Sequence, residues 1–137
     1  MKKILITLTL VASFFAATTV LAGADHDHGA PTFQPKKKNG ILRSTHNNHF
    51  EISKEGDLIS LFVYDKSGKE ITTQNFKLNS EVDMPKKKKQ KINFIDMKSH
   101  WEAQFDWQNS HRITIKININ DEKGKDKDYV KFTLENK

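Results

Sequence analysis

The 137 residues are enough for one domain, and they include no cysteine. A disulfide framework, thiolate catalysis and thiolate-ligated metal centres are therefore excluded. The formal charge of +6 points to an anionic counterpart if the charge serves binding at all, and to simple solvation if it does not.

Met1-Lys2-Lys3 is a positive n-region, Ile4 to Val20 is mostly apolar, and Ala22-Gly23-Ala24 is a small-x-small cleavage site. This order predicts a secretory signal peptide over residues 1–24. The polar Asp25-His26-Asp27-His28 follows at once, so the mature chain is expected to have no transmembrane segment. Alanine stands where a lipoprotein would need cysteine, which removes that route of lipid anchoring. The expected location is periplasmic or secreted. Removal of Lys2 and Lys3 lowers the charge to about +4, and nucleic acid is not a natural partner outside the cytoplasm.

Residues 25–39 carry His26, His28, Pro31, Pro35 and Lys36-Lys37-Lys38 without any apolar period. They read as a flexible tether. A β-sandwich domain is expected over residues 40–137. Ile41-Leu42 suits a short edge strand. Phe50 and Ile52 alternate with His49, Glu51 and Ser53, as period two requires. Leu58 to Tyr64 is apolar on both faces, which predicts a central strand with its second face partly covered. Gly56 and Gly68 sit in the turns on either side of it. Phe76 to Val82 is a further alternating run. Pro85 and the run Lys86, Lys87, Lys88 and Lys89 then break the pattern as a solvated loop. The phase slips between Ile92-Phe94 and Ile95-Met97, as a bulge would produce. Trp101 to Trp107, Ile113 to Ile119 and Val130 to Leu134 alternate strictly. Seven short strands and no helix outside the signal predict an all-β, seven-stranded antiparallel immunoglobulin-like sandwich, with a small open barrel as the alternative.

Histidine is the one side chain with a chemical lead. His26 and His28, with Asp25 and Asp27, offer nitrogen and oxygen donors suited to Cu, Zn or Ni, or form a merely polar tail. His49 and Glu51 share a strand face, and His46 lies in the preceding loop. Two imidazoles and a carboxylate suit a three-ligand site with an open position, but solvent-facing polar residues fit the same pattern. His100 and His111 read as turn residues. No nucleophile elbow, His-Glu-x-x-His, phosphate loop or Cys-x-x-Cys is present, so a non-enzymatic protein is expected. Lys86 to Lys89 discourage edge pairing or contact an anionic surface weakly.

The stretches Asn39-Gly40-Ile41-Leu42-Arg43, His49-Phe50-Glu51-Ile52 and Leu61-Phe62-Val63-Tyr64-Asp65-Lys66-Ser67-Gly68-Lys69 resemble small exported proteins associated with heavy-metal efflux. These include N-terminal extensions of periplasmic adaptor subunits of metal pumps. The resemblance implies a β-sandwich with His26, His28, His49 and Glu51 facing metal; His46 is a candidate substitute ligand whose spacing is not the family's. Lys38-Asn39 stands where those proteins carry histidine and glycine. The function so implied is a periplasmic transition-metal-binding protein that buffers metal or delivers it to an efflux-pump component. The alternative is an envelope interaction or adhesion module for a protein partner or anionic surface, with no metal role.

Overall fold

The computed structural model describes residues 33–125 and 127–137. The expected signal peptide, His26 and His28 lie outside the described residues. Among those described, the strands are β1 (Ile41–Ser44), β2 (His49–Glu55), β3 (Leu58–Tyr64), β4 (Phe76–Asp83), β5 (Gln90–Lys91), β6 (Ile95–Asp96), β7 (Trp101–Gln104), β8 (Arg112–Asp121) and β9 (Lys127–Glu135). One 3-10 turn, Thr73–Asn75, precedes β4. No helix among these residues is long and apolar enough to cross a membrane.

Two antiparallel sheets share one core. Sheet A has the order β1-β2-β3-β7-β6 and sheet B the order β5-β4-β8-β9. Period-two alternation explains both inner faces. Sheet A turns Phe50, Ile52, Ile59, Leu61 and Val63 inward, and sheet B turns in the four isoleucines of β8 with Val130, Phe132 and Leu134. Each fully buried isoleucine contributes about 1.5–3 kcal/mol of burial energy, so β8 is the main beam of sheet B.

The β2–β3 hairpin closes through the two-residue turn Gly56–Asp57, since Glu55 pairs with Leu58. Gly56 takes φ 60° at the first turn position, the place where a type II′ turn needs glycine. At the other end of β3 the Asp65 carboxylate accepts bonds from Ser67 N, Ser67 Oγ and Lys69 N. Those bonds, chiefly the one from the Ser67 side chain, hold its carboxyl below the usual range.

Three expectations are corrected. Nine strands stand where seven were expected, because Ile41–Ser44 pairs fully with β2 and the stretch near Ile92 forms two strands. The phase slip there is not a bulge. β5 pairs with β4 in sheet B and β6 with β7 in sheet A, so the chain crosses between sheets, with Ile92 buried and Phe94 packed on the core while Ile95 and Met97 stay exposed. The tether boundary also moves. Residues 33–39 do not float free, because they pack across the outer face of sheet A through contacts to Glu51, His49 and Tyr64. A smaller difference concerns Phe105 and Trp107. They lie beyond the end of β7 yet remain buried, packed edge to face at 5.7 Å.

Candidate functional site

The outer face of sheet A is organised by Glu51. It is fully buried on β2, opposite Phe62 and two positions along from the His49–Tyr64 pair. A carboxylate without solvent needs hydrogen-bond donors. Glu51 Oε1 accepts from Lys37 N at 2.7 Å, and Oε2 accepts from Lys36 N at 3.1 Å and Tyr64 Oη at 2.8 Å. These charge-assisted bonds tie residues 36 and 37 to the sheet. Burial, followed by the bond to Glu51 and the carboxylate charge, raises the Tyr64 phenol well above its ordinary pKa.

The remaining contacts complete a strap over this face. Phe33 stacks on His49 at 4.8 Å and tilts against Tyr64 at 5.0 Å. Lys36 Nζ donates to Gly68 O at 2.6 Å and lies 5.0 Å from the Tyr64 ring. Lys37 Nζ lies 4.2 Å from the Phe62 ring and 3.6 Å from Glu70. His100 covers Phe62 as well, stacked at 4.8 Å, with Nε2 on Glu102 and Nδ1 on Ser99 Oγ, both at 2.8 Å. Gly40 ends the strap at closest approach, where an added Cβ would lie 1.9 Å from Glu51 Oε1.

The three described residues of the expected metal group do not converge. His46 is exposed on the Thr45–Asn48 turn, which is closed by Thr45 N to Asn48 O at 2.8 Å. Asn47 and Asn48 anchor that turn on the buried Asp128 carboxylate. His49 is half-buried beneath Phe33, with Nδ1 on Ser44 Oγ at 2.6 Å. The Glu51 oxygens are occupied by three donors. Among the described residues no group of three or more His, Asp or Glu side chains is placed to hold an ion. His49 and Glu51 are thus engaged in contacts within the sheet A face. Tyr64, Lys36, Lys37 and Gly40 were missed as partners of Glu51. The available signal was that Phe62 and Tyr64 lie on the face of β3 that still required cover, and Glu51 of β2 falls on the same outer face of sheet A.

The lysine hairpin joins β4 to β5 at the edge of sheet B. Lys87 N donates to Met84 O at 3.2 Å, and Lys86 takes φ 61°. Proline at the second position and a left-handed third residue define a type II turn, in which glycine or asparagine is favoured third. Lys86 through Lys89 are all exposed, and Lys87 Nζ donates to Gln108 O. Asp83, the acid beside the hairpin, is paired with Lys116 at 2.5 Å. That pairing lowers the Asp83 pKa and raises that of Lys116.

Searches against protein-family models, curated proteins and solved structures find no match to this chain.

Proposed function

We propose that this chain is an exported, non-enzymatic binding module that holds to an anionic surface of the cell envelope through the Met84–Gln90 hairpin. One observation carries the reading. Four consecutive lysines are presented at a sheet edge, one of them in a backbone conformation that glycine would adopt more easily. Strain of this kind costs about 1–3 kcal/mol. Asp83 is paired with Lys116 and the run Lys86 to Lys89 contains no acid, so the loop projects a concentrated positive field. The strand order, with β1 set aside, supports an immunoglobulin-like reading in which β2-β3-β7-β6 faces β5-β4-β8-β9.

The test is retention on vesicles containing phosphatidylglycerol, measured against salt. Retention is expected to fall as salt shortens the electrostatic range. It is also expected to be lost when Lys86, Lys87, Lys88 and Lys89 are all replaced by glutamine. Salt-independent retention, or retention unchanged by those replacements, refutes the proposal.

A further inference from the structure

The outer face of sheet B differs in kind from the hairpin beside it. Strand register places Asn79, Asn118 and Tyr129 side by side across β4, β8 and β9. All three are exposed, and Tyr129 retains 55% of its surface. Among the described residues neither amide side chain has a hydrogen-bond partner. The row toward one end pairs Lys77 and Lys127 around Asn120. The row toward the other contains Lys91, Lys116 and Lys131, with Glu81 as the one acid. Adjacent strands lie about 4.8 Å apart and successive same-face rows about 7 Å apart. An aromatic ring, two free amides and ammonium groups on both sides thus fall within the footprint of a short oligosaccharide.

We propose that this face binds an acidic polysaccharide. The inference deepens the anionic-surface reading and rests on it, since the lysine hairpin borders the same face. Lys89 acts electrostatically on Asp83, whose carboxylate pairs with the outward Lys116. Each part of the ligand has a counterpart. The Tyr129 ring packs on the C–H face of a pyranose while its hydroxyl stays in water. Asn79 and Asn118 both donate and accept, which suits sugar hydroxyls. The lysines pair with uronate or phosphate groups along the chain. A lipid headgroup would use the charges but would leave the amide row idle. Single-stranded nucleic acid is gripped by successive stacked aromatics, and this row carries one.

Calorimetric titration with polygalacturonate oligomers tests the assignment on the whole chain. Parallel arms use phosphatidylglycerol vesicles and oligothymidylate. Binding to polygalacturonate is expected to weaken with salt. Tyr129→Ala is expected to weaken it about tenfold, which corresponds to about 1.4 kcal/mol, and Asn118→Ala to weaken it in the same direction. Vesicle retention should not respond to Tyr129→Ala. Absence of polygalacturonate binding, equal binding by wild type and Tyr129→Ala, or an equal Tyr129-dependent loss with oligothymidylate overturns the assignment. If lysine-dependent vesicle retention survives while polygalacturonate fails to bind, the anionic-surface reading stands and the saccharide assignment alone falls. Unchanged thermal melting of the exposed variants confirms that the fold is intact.

Discussion

The two outer faces of this sandwich start from similar strands and end in opposite states. On sheet A, β3 carries Phe62 and Tyr64 outward beside Glu51, and the chain spends residues 33–40 covering them. On sheet B the outward residues are lysines, asparagines, threonines, Tyr129 and the acids Glu81 and Asp83, and no segment among the described residues lies across their centre. Covering apolar residues is favourable, and it buries the carboxylate beside them, which then needs hydrogen-bond donors. A face with long cations and amides is stable while open. The difference assigns structure to one side and leaves the other for contact.

Glu51→Ala is the severest way to break the contrast. It strands the Tyr64 hydroxyl and two backbone N–H groups. A loss of about 3 kcal/mol is expected, since each unsatisfied buried donor costs about 1–3 kcal/mol and the two strap amides are only partly buried. Urea denaturation measures it, and a loss below about 1 kcal/mol would mean that Glu51 does not hold the strap. Gly40→Ala comes next, at about 2 kcal/mol, because its methyl group collides with the same carboxylate. Hydrogen exchange should show the Lys36 and Lys37 amides opening first in that variant.

Alkaline titration sharpens the same side. The folded Tyr64 pKa is raised above its ordinary value of 10.0, so between the two values the folded chain binds more protons than the unfolded one. This contribution to stability is therefore fully present below pH 10 and declines as pH rises above it. Tyr64→Phe is expected to remove that part of the decline, read from denaturation midpoints at several alkaline pH values.

On the open side, effects on folding should be small or favourable. Lys86→Gly relieves the left-handed lysine and is expected to add up to about 1 kcal/mol of stability, while weakening vesicle retention. Such a split between folding and binding is the signature of a strained residue kept for contact. Tyr129→Ala should change stability by less than about 0.5 kcal/mol. A larger loss would show that its ring supports the fold rather than projecting for a ligand.

The alternating strands were legible because each has one inward face. Ile113 to Ile119 announces β8 by period alone, and the Gly56 turn fixes the β2–β3 hairpin. Non-local features were not legible. Ile95 and Met97 read as a slip of the apolar phase but are exposed, and the change of sheet there is visible only from the partner strands. The strap was hidden by composition, since prolines and lysines read as solvated while Phe33 and two backbone amides make the contact. Glu51 misled for a related reason. Its place beside His49 suggests shared ligation, but its partners come from Tyr64 and from chain 14 and 15 residues earlier. The Asn79–Asn118–Tyr129 row depends on three strands in register, which no local pattern contains.

The most direct test of the contrast is an NMR titration of the 15N-labelled protein with polygalacturonate, followed amide by amide. The account predicts shifts at Asn79, Lys86 to Lys89, Asn118 and Tyr129, with Lys36, Lys37, His49 and Glu51 unmoved. Shifts concentrated on the strap and β2, with the sheet B face silent, would contradict it.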